Sequence, residues 1–161
     1  MNVPHRSRNG FSLIELLIVV AIILIIAAIA IPNLMRSKIQ ANEAAAVETL
    51  KTLDTSVVMY STSYGGFPHT LTDMGPSSGG ATTSASADLI DSVLATGVKS
   101  GYKYAYAVTS SDPSGNVISY SITASPLTVG VTGQRSFYTD QSGTIRSTAN
   151  GTADAASTPI G

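Results

Sequence analysis

Among the residues of this chain that could do chemistry, Glu15 is the one whose setting demands an explanation. It is the sole charged side chain within residues 11–31, FSLIELLIVVAIILIIAAIAI, four positions after Phe11. A carboxylate near the middle of a lipid-spanning helix costs on the order of 3 kcal/mol and usually faces a protein partner. Set about one turn from the end of the run, it could instead reach the lipid headgroups. The other candidates carry less. There are two histidines, His5 and His69, and no cysteine. His69 lies in a loop-like stretch, and no G-x-S-x-G turn presents a serine to it, so a Ser-His-Asp hydrolase has little to rest on. No His/Cys cluster has metal-site spacing. Asp112 and Asp140 fall in turn sequences where oxygen ligands could hold calcium. The D-x-[DN]-x-[DN]-G loop is missing, however, and Asp at the start of a turn ordinarily caps its own backbone. The row Tyr102, Tyr104 and Tyr106 could prompt an electron-transfer idea, but one face of a packed strand explains it. The residues describe a protein that is not an enzyme and uses no cofactor or metal.

The element that positions Glu15 is a membrane helix. A bilayer core of about 30 Å takes ~20 helical residues to cross, and the apolar run has 21. Residues 32–161 are too polar for a second span, so the chain reads as one crossing followed by one small soluble domain. Arg6 and Arg8 precede the span, while Arg36 and Lys38 beyond it are balanced by Glu43 and Glu48. That asymmetry favours a cytoplasmic start and an outer domain. An ordinary secretory signal cut after Ala28-Ile29-Ala30 is the alternative, against which stand the length of the apolar run and Glu15 inside it. Pro32 lacks a backbone donor and crowds the preceding turn, so it either kinks the helix near residues 28–32 or opens a second helix beyond the membrane.

Gly10 followed by Phe11, Ser12, Leu13, Ile14 and Glu15, with a basic leader before and Pro32 after, resembles the amino terminus of type IV prepilins and the related type II secretion pseudopilins. Their pattern is a short basic leader, a glycine, then F-[ST]-L-[IV]-E. The resemblance implies that a prepilin peptidase cuts after Gly10 and methylates the new amine of Phe11. A residue without a side chain there lets the backbone approach a protease closely. It further implies that the amine of one copy meets Glu15 of its neighbour. Apolar helices have no hydrophobic reason to prefer each other over lipid, so a partly desolvated ion pair could select partner and register. For Pro32 it implies a segment able to lose helicity in a packed filament. The implied partners are further copies of the chain, the peptidase, the inner-membrane pilus assembly machinery, and the membrane before assembly.

Beyond Pro32 the amphipathic spacing of Ile39, Ala46, Leu50, Leu53, Val57, Tyr60 and Tyr64 extends the helix to about residue 64, with the charges, Glu43 and Asp54 included, read as solvated. Gly65, Gly66 and Pro68 end it, and loop composition follows to Gly80. Residues 87–95 suggest a short helix with Leu89, Ile90, Val93 and Leu94 inward. Tyr102, Tyr104, Tyr106 and Val108 alternate as a half-buried strand, broken at residues 112–116 and paired with Ile118, Tyr120, Ile122 and Ala124. A last hairpin joins residues 135–139 to 144–147 through Asp140-Gln141-Ser142-Gly143. Three or four antiparallel strands result, and residues 149–161 have little to bury and are expected to stay mobile.

The fold expected is α+β: a long amino-terminal helix, membrane-spanning in its first half, packed on a small antiparallel sheet, as the resemblance to the type IV pilin fold implies. The domains are a leader (1–10), an assembly helix (11–31), its amphipathic continuation (32–64), a head (65–148) and a tail (149–161). Net charge is -1, and without Arg6 and Arg8 seven basic residues face ten acidic ones. Nucleic-acid binding therefore has no basic face to rest on. Many pilins close a carboxyl-terminal loop with a disulfide, which a chain without cysteine cannot do. The function expected is a structural subunit of a type IV pilus, held first in the inner membrane with its carboxyl-terminal domain periplasmic, then in a filament on the cell surface. A type II secretion pseudopilin is the first alternative, and a membrane-tethered binding domain that never polymerises is the second.

Overall fold

The structure, a computed structural model, describes residues 11–77 and 79–160. The leader, residues 1–10, lies outside the described residues. The chain divides into two compact units, Met1–Ser37 and Lys38–Gly161. Helix α1, Leu13–Tyr64, contributes its first part to one and its remainder to the other, and it stays helical through Pro32.

In the first unit α1 is apolar around its whole circumference. Leu13, Ile14, Leu17, Ile18, Ile22, Ile25 and Ile29 are all exposed, and the most apolar window has a mean hydropathy of 3.3 with none of it buried. A helix that is hydrophobic on every side belongs in lipid or among like helices, and α1 is long and apolar enough to cross a membrane.

The second unit has its own core. One stripe of α1, Ala46, Leu50, Leu53, Val57 and Tyr60, packs with Tyr102, Tyr104, Tyr120, Ile122, Ala124 and Phe137 from the sheet. Each large side chain fully buried in this way contributes roughly 1.5–3 kcal/mol. The sheet is a six-stranded antiparallel meander: β1 (Val98–Lys99), β2 (Tyr102–Ser111), β3 (Val117–Pro126), β4 (Ser136–Asp140), β5 (Arg146–Thr148) and β6 (Thr158–Pro159) lie in chain order. The α+β architecture, a long helix on a small antiparallel sheet, is the one expected from sequence; two-residue β1 and β6 take the strand number past three or four.

Local departures have physical reasons. The helix expected over residues 87–95 shrinks to α2, Ser92–Ala95, because Asp91 caps it by accepting the Leu94 amide at 2.8 Å. Its Val93 is 56 % exposed rather than inward. The loop before it holds a 3-10 turn, Leu71–Met74, with Asp73 accepting the amides of His69 and Thr70 at 3.0 and 2.9 Å. Ile118 faces out and Val117 in, the reverse of the expected alternation, because the β2–β3 register shifts between Val108 and Ser111. A bulge of this kind flips the side chains beyond it to the other face.

The tail expected to be mobile is instead tied down. Strand β6 pairs with β5, and the Ile160 amide donates to the Ile145 carbonyl at 2.8 Å. Ser136 Oγ donates to the Gly151 carbonyl and accepts the Ala153 amide, leaving Ala153 buried.

Candidate assembly site

The residues singled out by sequence sit at the start of α1, and local backbone chemistry fixes them there. Helical geometry begins at Leu13, so Ser12 is the cap residue, and its carbonyl accepts the first helical hydrogen bond from Leu16 at 3.2 Å. Glu15 then occupies the third helical position, and its Oε2 accepts the Ser12 amide at 3.2 Å. This is the carboxylate half of an S-x-x-E capping box, which satisfies one of the amides a helix start leaves without a partner. A negative charge there is also favoured by the positive end of the helix dipole. Sequence reasoning weighed Glu15 against lipid headgroups and a neighbouring amine but missed this local partner, although Ser12-x-x-Glu15 spells it.

Phe11 immediately precedes the cap and is 78 % exposed. Gly10, on the other side of the expected scissile bond, lies outside the described residues. Pro32 falls inside the helix.

Two carboxylates expected to be solvated are structural. Glu43 is buried, accepting the amides of Gln134 and Arg135 on Oε1 at 2.9 and 3.1 Å and Arg135 Nε on Oε2 at 2.8 Å. Burial pushes its carboxyl up, but the two amides and the Arg135 guanidinium outweigh it and hold it below the usual glutamate range. Beside it Asn42 Nδ2 donates to the Thr132 carbonyl at 2.8 Å, so one turn of α1 fastens the β3–β4 connection. Asp54 accepts Thr139 Oγ1 at 2.8 Å and the Tyr120 hydroxyl at 3.3 Å. Burial raises its carboxyl above the ordinary aspartate range, more than those hydroxyls lower it, and the nearby Asp140 charge adds to the rise. The signal was present: Glu43 precedes Ala46 by three and Asp54 precedes Val57 by three, both on the edge of the apolar stripe.

The remaining candidates resolve into turns. Asp112 accepts the amides of Ser114 and Asn116 and the Asn116 side chain, which together draw its carboxyl below the usual range, the Asn116 side chain first among them. Asp140 Oδ1 accepts the Ser142 amide at 2.9 Å. Among the described residues, no three His, Cys, Asp or Glu side chains gather as a metal site. Tyr102, Tyr104 and Tyr106 share one face of β2, where Tyr106 stacks on Tyr120 at 5.6 Å and Tyr102 donates to the Arg135 carbonyl at 2.8 Å. They are core packing.

Comparison with known proteins meets the same end of the chain. Residues 5–31 match the prokaryotic N-terminal methylation motif. Over 38 residues the chain is 58 % identical to the type IV wide pilus major component PilA4 of Thermus thermophilus, covering 24 % of this chain and 29 % of that protein. It is 34 % identical over 65 residues to type II secretion system core protein G of Aeromonas hydrophila, and 31 % over 71 residues to core protein G of Dickeya chrysanthemi. Those two matches cover 40 % and 44 % of this chain and 46 % of each relative. The chain thus spans less than half the length of the curated relatives it matches. It carries the prepilin-type N-terminal methylation motif and is homologous, over part of its length, to a type IV pilin and to type II secretion pseudopilins.

Proposed function

We propose that this chain is a pilin-like filament subunit, a structural protein rather than an enzyme, made as a membrane-anchored precursor and polymerised through the first part of α1. The observation that carries the reading is the pairing of the methylation motif with a helical stretch, residues 13–31, that is apolar on every side and has its one acid, Glu15, at its start. Cleavage after Gly10 exposes the amine of Phe11, which is then methylated. Glu15 uses Oε2 for its own Ser12 amide, and an ionised carboxylate has about four lone-pair sites, so the cap leaves capacity for a second donor. The Phe11 ammonium of an adjoining copy is that donor. Local capping orients the carboxylate, and the intermolecular ion pair sets the register between helices that lipid alone would leave indifferent to each other. Pro32, with no amide to give, is where α1 loosens as copies nest.

On this reading the precursor crosses the inner membrane once with the head on the periplasmic side, and the filament extends from the cell surface as a type IV pilus. Its partners are other copies, the prepilin peptidase and the pilus assembly machinery. A secretion pseudopilus subunit is the second reading, favoured by the longer matches to core protein G, which reach beyond the span.

The deciding experiment is the mass of the mature amino terminus. A chain beginning with methylated Phe11 supports processing at Gly10, whereas a chain beginning at Ile31 restores an ordinary secretory signal and ends the proposal.

A further inference from the structure

A cavity of about 390 Å³ opens in the head where α1 ends, walled by Tyr60, Tyr64, Phe67, His69, Asp73 and Asn116. Three of them, Tyr60, Tyr64 and Phe67, carry benzenoid rings, and His69 adds an imidazole. The Tyr60 and Tyr64 rings lie 4.8 Å apart and tilted by 46°, and Phe67 is held edge-on against Tyr120 at 4.9 Å. The Tyr60 hydroxyl donates to the Ser84 carbonyl, which fixes that ring against the cavity. The formal charge of the wall is the Asp73 carboxylate, beside the imidazole of His69. Among the described residues no Lys or Arg lines it, Asp73 contributes a carboxylate whose Oδ2 serves two backbone amides, and the last turn of α1 carries no basic residue to offset the negative end of its dipole. Burial raises the Tyr60 phenol above its ordinary range, and the Asp73 charge pushes it further, so the field of that carboxylate reaches the aromatic wall.

We propose that this cavity binds an alkylammonium group. Aromatic rings attract a cation through their negative faces, by about 0.5–1 kcal/mol at exposed sites and ~2 kcal/mol or more where water is excluded. A carboxylate and a helix carboxyl end beside them add to the same preference. Every residue in it belongs to the second unit.

The test is a calorimetric and NMR titration of the full-length chain in maltoside micelles, which contain no ammonium headgroup. Choline and its uncharged carbon isostere are compared, with n-butylammonium standing for a lysine side chain. Saturable binding of the cations, with ring shifts at Tyr60, Tyr64 and Phe67 and at least fivefold weaker binding of the isostere, is the expected result. Which cation binds tighter then separates a quaternary small molecule from a lysine as the natural source. Tyr64→Leu, at the half-exposed lip, weakens the cations about threefold to tenfold. Ala85→Lys, which sets a competing ammonium at the exposed rim without touching the core, abolishes binding while the melting temperature holds. Equal affinity for choline and its isostere, an absence of saturation at millimolar choline, or full binding to the Ala85→Lys chain would each overturn the proposal.

Discussion

Glu15 has two jobs on the proposed reading, and two substitutions at this one position pull them apart. Glu15→Gln retains a side-chain oxygen for the Ser12 amide, so the cap survives while the charge is lost. Glu15→Leu removes both. If the ion pair with Phe11 of an adjoining copy sets assembly, both variants reach the membrane and neither gives filaments, as electron microscopy of sheared cell surfaces would show. Normal filaments from Glu15→Gln would reduce the role of Glu15 to capping, a contribution of about 1 kcal/mol. Asp54 invites the opposite experiment, since its carboxyl is raised by burial. The folded state therefore holds its proton more tightly than the unfolded chain, and this group adds stability as pH falls through its folded range and loses it as pH rises. Asp54→Asn keeps hydrogen-bonding capacity toward Thr139 and Tyr120, whose hydroxyls can turn to donate or accept, without burying a charge. Its stability at pH 7 should equal or exceed that of the parent, and the difference should close on acidification. Asp54→Ala leaves both hydroxyls unpaired and should cost roughly 1–3 kcal/mol for each left buried, read by urea denaturation at pH 7.

The turn of α1 around Asn42 and Glu43 does for the β3–β4 connection what the apolar stripe does for the sheet. Glu43 is held ionised, so its contribution is complete above the ordinary glutamate range and is lost as pH falls below that range and through its own lowered value. Its slope is opposite in sign to that of Asp54. Glu43→Gln should destabilise the head by about 1.5–3 kcal/mol, the range for hydrogen bonds to a charged group, and should flatten the acid limb of a melting-temperature profile below the ordinary glutamate range. An unchanged acid limb in that variant would refute the role given to Glu43. These ties also show where sequence reading stops. The stripe Ala46, Leu50, Leu53, Val57 and the alternation Tyr102, Tyr104, Tyr106 were legible because burial repeats with the period of the backbone. Nothing periodic announces that Glu43 meets residues 91 and 92 positions away, that the β2–β3 register slips between Val117 and Tyr120, or that small residues of the tail are gathered by Ser136. Hydrogen bonds between distant segments fix those features, and composition is blind to them. Gly133 is a case in point. It reads as one more loop glycine, yet a Cβ there would fall on the Tyr102 hydroxyl.

The chain joins two solubility regimes. Residues 38–160 carry a continuous core and a closed set of head contacts, whereas the helix before them has almost nothing buried and no apolar partner of its own. Burial of apolar surface stabilises a fold only where the surface leaves water, so the first unit draws its stability from lipid or from other copies, and the second from itself. The start of α1 was readable at once because, on the proposed reading, membrane insertion, peptidase recognition and packing all act on one contiguous stretch, and a contiguous stretch can be spelled as a motif. The head is assembled from segments far apart in sequence, and contacts of that kind cannot be spelled as a motif. A chain beginning at Lys38 should therefore be soluble without detergent, monomeric by sedimentation and cooperative in thermal unfolding, with helical circular dichroism lost in the same transition as the near-ultraviolet tyrosine signal. The two signals must coincide because residues 38–64 are helical through their contact with the sheet, and an isolated amphipathic helix of that length is only marginally stable in water. If the helical signal melts first, or the truncated chain aggregates, the head does not fold on its own. The first unit would then be part of the fold, and a subunit could not pass from membrane to filament with its head intact.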